Sequence, residues 1–129
     1  HRAVHAVWTQ IMPDGGRVGN ISSVLGKFGV PGYTAYCASK FGVIGFTKAL
    51  ALEGAARNVT VNAIAPGYTD TAMVAAVSAE AMKAVLGAVP VGRLGTPDEI
   101  ARGVLFLVED EAGFVTGATL SINGGKYMA

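Results

Sequence analysis

A single cysteine, Cys37, is all the thiol chemistry this chain holds. No intrachain disulfide is possible, so a reducing compartment is expected, the cytoplasm first of all. Charge is scarce as well: 15% of residues are Asp, Glu, Lys or Arg, and the formal net charge is +1. The ten basic residues are scattered from Arg2 to Lys126. They lack the clustering of a nucleic-acid footprint, so no nucleic-acid partner is expected. The one charge run is acidic, Glu109-Asp110-Glu111, and reads as a solvated helix end. No apolar run approaches the roughly 20 residues of a membrane span, and no secretory signal is visible. The sequons Asn20-Ile21-Ser22 and Asn58-Val59-Thr60 therefore read as coincidence. Metal binding has little support, because His1 and His5 have no third ligand beside them. An initiator Met is missing too. The chain opens inside a helical pattern, which suggests a fragment of a longer protein.

What is present is apolar and punctuated: 51% of the residues are hydrophobic and 18 are glycine. Ala3, Val4, Val7, Trp8, Ile11 and Met12 lie on one stripe of helical period over residues 2–12. Pro13 and Asp14-Gly15-Gly16 then turn the chain. A short strand is expected from Arg17 to Ser22, and a glycine-punctuated loop over residues 23–33. A long helix follows, from about Thr34 to Arg57. It is apolar on more than one face, with small residues at Ala38, Gly42, Gly45 and Ala49, as in a helix buried on several sides. Thr60 to Ala65 reads as a buried strand stopped by Pro66-Gly67. A helical stretch is expected around 78–88, after an irregular connection. Thr96-Pro97-Asp98-Glu99 is a helix start with an N-cap, a proline at the first position and a capping box, and that helix runs to about Val108. Ala118 to Ile122 is a last strand, closed by Asn123-Gly124-Gly125. Short apolar strands alternating with helices imply an α/β fold, a parallel sheet with helices on both faces. Three strands are too few for a complete doubly wound sheet. The expectation is the C-terminal portion of a Rossmann-like doubly wound sheet, residues 1–129 forming half of a single domain.

The chemistry concentrates in Asn20-Ile21-Ser22-Ser23 and in Tyr36-Cys37-Ala38-Ser39-Lys40. Tyr36 and Lys40 are four apart, hence neighbours on one helix face. Ser23 falls at the end of a strand, where open α/β sheets place their ligands. Hydride reduction of a ketone leaves negative charge on the carbonyl oxygen, which must then be protonated. A phenol, with an ordinary pKa of about 10, donates that proton more readily when an adjacent ammonium stabilises the phenolate. A serine hydroxyl can hold the same oxygen and steady its charge. Tyr-x-x-x-Lys alone is a weak signal. Cys37 has no histidine nearby in sequence to activate it, so it is expected to be a buried thiol. Trp8 and Phe106 sit on apolar stripes, as core or interface residues.

The surrounding residues strengthen the signal. The strand end Asn20-Ile21-Ser22-Ser23 and the interval of 13 residues from Ser23 to Tyr36 come first. Val61-Asn62-Ala63-Ile64-Ala65-Pro66-Gly67, Arg93-Leu94-Gly95-Thr96-Pro97-Asp98-Glu99-Ile100, Thr116-Gly117 and Asn123-Gly124-Gly125 follow in order. Together they resemble the short-chain dehydrogenase/reductase family over essentially the whole chain. The resemblance implies catalysis by Ser23, Tyr36 and Lys40. Tyr36 would be the proton donor, Ser23 would orient the carbonyl, and Lys40 would assist Tyr36 and hold the nicotinamide ribose. It also implies a cofactor, NADP or NAD, bound by Tyr36, Lys40, Pro66, Gly67, Thr69 and Thr71. Pro66-Gly67 would lie beside the nicotinamide, the Thr69 backbone at its carboxamide, and Thr71 towards the pyrophosphate.

Several family features are not in this sequence. The glycine-rich dinucleotide loop, the Asn-Asn-Ala-Gly motif and a fourth catalytic residue, an asparagine, all belong before residue 1. Gly19 replaces a branched residue, and Ala72 replaces the usual Asp or Pro. Gly45-Phe46-Thr47-Lys48-Ala49-Leu50-Ala51, Pro90-Val91-Gly92-Arg93-Leu94-Gly95 and Asn123-Gly124-Gly125-Lys126-Tyr127-Met128 look like the 3-oxoacyl thioester reductases of the family. A small-molecule carbonyl substrate, linked to CoA or a carrier protein, is therefore implied. Another alcohol or ketone (cyclic, sugar-derived or polyketide) is the rival substrate, and a non-catalytic fragment is the rival outside enzymes. By the same resemblance the long helix packs against its copy across a twofold, giving a homo-oligomer, a tetramer or a dimer.

Overall fold

The computed structural model describes residues 12 and 14–128. The helical stripe over 2–12 (Met12 apart), the His1/His5 pair, Trp8 and Pro13 lie outside the described residues. The described chain contains three strands, β1 (Arg17–Ile21), β2 (Thr60–Pro66) and β3 (Thr119–Ile122), and four α-helices. The helices are α1 (Thr34–Gly54), α2 (Ala72–Ala75), α3 (Ala79–Gly87) and α4 (Pro97–Val108). All strands are parallel, in the order β1-β2-β3. The fold is thus α/β with a Rossmann-like parallel sheet, as the alternating pattern predicts. The expected boundaries agree to within a few residues. The single turn α2, inside a connection expected to be irregular, is an addition.

Strand β2 is central, and its residues from Thr60 to Ala65 are all buried. The pleat sends alternate side chains to opposite faces. Val61, in register with Val18, meets Phe46, Leu50 and Ala51 of α1. Ile64, in register with Leu120, faces the other way. On that face α4 crosses β3 so closely that a Cβ on Gly103 would fall on the Leu120 and Ile122 side chains. The two helices therefore cover opposite faces of the sheet. Full burial of Ile64 alone contributes roughly 1.5–3 kcal/mol.

Polar side chains are tied down on both faces of the sheet. Asn62 is buried, donates from Nδ2 to the Val115 carbonyl (2.8 Å) and accepts the Ala118 amide on Oδ1 (3.0 Å). It thereby shapes the turn that leads into β3, where Gly117 has φ +70°. On the other side, Asn20 of β1 donates to Thr47 Oγ1 (2.9 Å), and Thr47 donates to the Val43 carbonyl (2.7 Å).

Helix α1 buries one side only: Cys37, Thr47, Leu50, Ala51 and Gly54 are covered. Phe41 and Leu52 on its remaining surface are exposed, Leu52 by 82%. Within this chain the expectation of burial on several sides is met by one side. Phe106 is 52% exposed, so it is not a core residue of this chain. The Asp110–Ala112 turn after α4 opens on exposed acidic residues, which matches the reading of the acidic run. Among the described residues, no helix is long and apolar enough to cross a membrane, and no cluster of three His, Cys, Asp or Glu could hold a metal ion.

Replacing Asn62 by Ala strands two part-buried backbone groups, the Val115 carbonyl and the Ala118 amide, each worth up to about 1–3 kcal/mol. The expected outcome is a fall of about 2–6 kcal/mol in unfolding free energy, read from urea denaturation midpoints. An unchanged midpoint would remove Asn62 from this role.

Candidate active site

The C-terminal ends of β1 and β2 lie side by side, with Ile21 in register with Ile64. This end carries most of the sequence-predicted residues. Ser23 follows β1 by two positions and caps a 3-10 turn, Val24–Gly26, by accepting the Leu25 amide on its Oγ (3.2 Å). That contact occupies a lone pair of Ser23 and leaves its hydroxyl proton to be donated elsewhere.

Tyr36 and Lys40 stand in the first two turns of α1. Lys40 Nζ lies 5.5 Å from the centre of the Tyr36 ring and donates to the Ile21 carbonyl (3.3 Å). The lysine is thus held between the strand end and the phenol, and Tyr36 is 44% exposed and open to a ligand.

A neighbouring residue sets this arrangement. Ser22 is buried, and its Oγ donates to the Lys40 carbonyl (2.8 Å) across 18 residues of sequence. Gly26 closes over the same spot: a Cβ there would come within 2.6 Å of Ser22 Oγ and 2.8 Å of the Lys40 carbonyl oxygen. The strand end and the helix are therefore latched together at Lys40 itself. Sequence reasoning quoted Ser22 only as part of a motif and gave Gly26 no role. Neither carries a local signal, because both act on a residue distant in sequence.

The Pro66-Gly67 turn ends β2. Gly67 donates to the Ile122 carbonyl (2.9 Å), and a Cβ on it would sit 2.8 Å from the Asn123 Cα, so the two strand ends are in backbone contact. Thr69 pairs with Gly95 in an isolated parallel bridge, and its Oγ1 donates to the Gly67 carbonyl (3.1 Å). Thr71 is exposed ahead of α2, with no capping bond from its side chain. The described geometry joins Tyr36 to Lys40, and Thr69 to Gly67. Thr71 stands apart on the connection.

Gly95 leads into α4, whose predicted capping box is present: Glu99 accepts the Thr96 amide (2.8 Å) and Thr96 Oγ1 accepts the Glu99 amide (3.2 Å). Sequence reasoning missed a second role for Glu99. Arg93 grips it with both guanidinium nitrogens, at 2.9 and 2.6 Å. Hydrogen bonding from Arg93, then from the Thr96 backbone, pulls the Glu99 carboxyl down to about 2. A cleft of about 200 Å³ beside this pair is lined by Tyr68, Val91, Arg93, Glu99, Ile122 and Asn123. Ser23, Tyr36 and Lys40 do not line this cleft. The Tyr36–Lys40 pair, with Lys40 bonded to the end of β1 two residues before Ser23, marks the candidate site.

Over residues 1–126 the chain matches the family described as enoyl-(acyl carrier protein) reductase. It belongs to the short-chain dehydrogenase/reductase family. The acetoacetyl-CoA reductase of Shinella zoogloeoides is 53% identical over 126 residues, which cover 96% of this chain and 52% of that protein. The acetoacetyl-CoA reductase of Rhizobium meliloti is 51% identical over 127 residues, 97% of this chain and 53% of the relative. A 3-oxoacyl-[acyl-carrier-protein] reductase of Haemophilus influenzae is 51% identical over 114 residues, 88% of this chain and 47% of the relative. The chain thus spans about half the length of the curated relatives it matches.

The Glu99 carboxyl is held below its ordinary value of 4.5. Its clasp on Arg93 and Thr96 therefore contributes fully above that value and is lost as pH falls towards about 2. Thermal melts of wild type and Glu99→Gln should differ above pH 5 and converge between pH 4.5 and 2. A constant difference across that range would refute the assignment.

Proposed function

We propose that the protein is an NAD(P)H-dependent carbonyl reductase that converts 3-oxoacyl thioesters, on CoA or an acyl carrier protein, to 3-hydroxyacyl thioesters. The observation that carries this reading is the Lys40 ammonium held 5.5 Å from the Tyr36 ring beside the strand end that bears Ser23. The names of the relatives support the substrate class, since each is a reductase of a 3-oxoacyl thioester.

In this reading Tyr36 gives its phenolic proton to the substrate oxygen as that oxygen gains charge. The Lys40 ammonium favours the phenolate left behind. Ser23, with one lone pair engaged by the Leu25 amide, donates its hydroxyl proton to the same oxygen and holds it against Tyr36. When bound, NADPH or NADH supplies the hydride. The donor set suits such a coenzyme. Lys40 makes a described bond with one of its three protons, to Ile21, and Thr71 has a hydroxyl not spent on capping. Tyr36 and Lys40 would hold the ribose hydroxyls, the Pro66-Gly67 turn and the Thr69 backbone the nicotinamide end, and Thr71 the pyrophosphate.

The chain is proposed to be the C-terminal half of one Rossmann-like domain of a cytoplasmic protein. The glycine-rich dinucleotide loop would lie upstream, and the 129-residue piece alone would be inactive. The exposed apolar residues Phe41 and Leu52 on α1 and Phe106 on α4 support a homo-oligomer, a tetramer built through these helices. Reduction of a cyclic, sugar-derived or polyketide ketone instead of a thioester is the outcome that a substrate panel would expose.

In the whole protein, Tyr36→Phe should lower the rate of acetoacetyl-CoA reduction by at least about a hundredfold while leaving coenzyme binding largely intact. Lys40→Met should damage both. The readouts are NAD(P)H oxidation at saturating substrate and coenzyme titration by fluorescence. An active Tyr36→Phe variant would show that another group donates the proton. Sedimentation at micromolar concentration should give a species larger than a monomer, and a monomer would overturn the assembly.

A further inference from the structure

Segment 27–33 joins the turn at Ser23 to the helix that carries Tyr36, and its own restraints are few. Lys27 donates to the Val24 carbonyl (3.0 Å) and Tyr33 to the Val30 carbonyl (3.1 Å). Between them Gly29, Pro31 and Gly32 are exposed, and Gly32 has φ +83°. Ordering such a stretch costs about 1–2 kcal/mol per residue, so a single outlook on the site needs an outside anchor. That anchor comes from the other end of the chain. The Phe28 ring stacks on Tyr127 with centroids 5.5 Å apart and planes at 22°. Lys27 Nζ lies 5.6 Å from the centre of the same Tyr127 ring. Phe28 also faces α1, where its carbonyl lies 3.9 Å from Cys37 Sγ, next to Tyr36.

Tyr127 is itself held in place. Asn123 donates from Nδ2 to the Tyr127 carbonyl (2.9 Å), and its Oδ1 accepts the Gly125 amide (3.0 Å). The hook between them uses left-handed backbone at Gly124 (φ +61°) and Gly125 (φ +84°), packed against Val89 and Pro90. Glycine takes these angles at the least steric cost. Its base is Asn123, in backbone contact with Gly67. A rigid hook thus grows from the strand-end turn and presses an aromatic ring onto the segment between Ser23 and Tyr36.

We infer that Tyr127 is a positioning residue: through Phe28 and Lys27 it holds segment 27–33, and so the relative placement of Ser23 and Tyr36. The consequence for catalysis rests on the proposed carbonyl reductase reading, whereas the brace itself does not.

The test uses the whole protein with Tyr127→Ala, and with Tyr127→Phe, which keeps the ring. Hydrogen exchange at the Lys27 and Tyr33 amides should quicken about tenfold in Tyr127→Ala and return to wild type in Tyr127→Phe, the scale of one lost ring stack. Over the same pair, kcat for acetoacetyl-CoA should fall about tenfold and recover, with coenzyme KM unchanged. Unchanged exchange in Tyr127→Ala would overturn the brace. Faster exchange with unchanged kcat would overturn the positioning role and leave a merely structural contact. A wild type that does not reduce acetoacetyl-CoA would sink the thioester reading instead, and the exchange rates would then judge the brace alone.

Discussion

Strand β2 has no side facing water. Its backbone is paired to β1 on one edge and β3 on the other, α1 covers one face, and α4 packs across the other. A parallel strand enclosed in this way favours apolar residues along its length, and a polar side chain on it gains from partners within the fold, which Asn62 has and the buried Thr60 hydroxyl lacks. That one constraint accounts for Val61, Ala63, Ile64 and Ala65, and equally for the doubly bonded Asn62. It also dictates where function can be. The strand is sealed until it stops at Pro66-Gly67, so reactive groups gather at the ends of the strands, where backbone and side chains emerge together.

The placement of Tyr36 and Lys40 follows from the same enclosure. Helix α1 is fixed against β2 by Phe46, Leu50 and Ala51, two to four turns beyond Tyr36 and Lys40. Its start could swing about that anchorage, and Ser22 with Gly26 prevents it by clamping the Lys40 carbonyl at the end of β1. Lys40 is consequently held at both its backbone and its ammonium, the latter on the Ile21 carbonyl. A flexible point charge is thereby confined to one side of a phenol.

The surface that remains is uneven. Phe41 and Leu52 on α1, Phe106 on α4 and Phe114 beyond it are exposed, Phe114 entirely so. Exposed aromatic area on this scale is costly in water. The chain spans about half the length of the curated relatives it matches. The hook at residues 123–127 shows the opposite behaviour: there a terminal segment is drawn onto the body by Asn123 and by stacking.

Much of this was legible in the residues. The strand–helix alternation, the stop at Pro66-Gly67, the capping box at Thr96 and Glu99 and the i,i+4 pairing of Tyr36 with Lys40 are local patterns, written within a few positions of one another. Local sterics and hydrogen bonding suffice to specify them. Three things could come only from the tertiary structure. Ser22 meets Lys40 across 18 residues, Arg93 turns Glu99 from a cap into a two-pronged clasp, and Tyr127 reaches back to Phe28. Ser22 with Lys40 and Tyr127 with Phe28 join elements whose distance apart is set by the packed sheet, and no spacing along the chain encodes that distance; Arg93 and Glu99 are six residues apart, and the folding of that loop decides their grip. The burial of α1 divides in the same way. Sequence alone determined that the helix is apolar nearly all round, while packing decided that this chain covers only one of its sides.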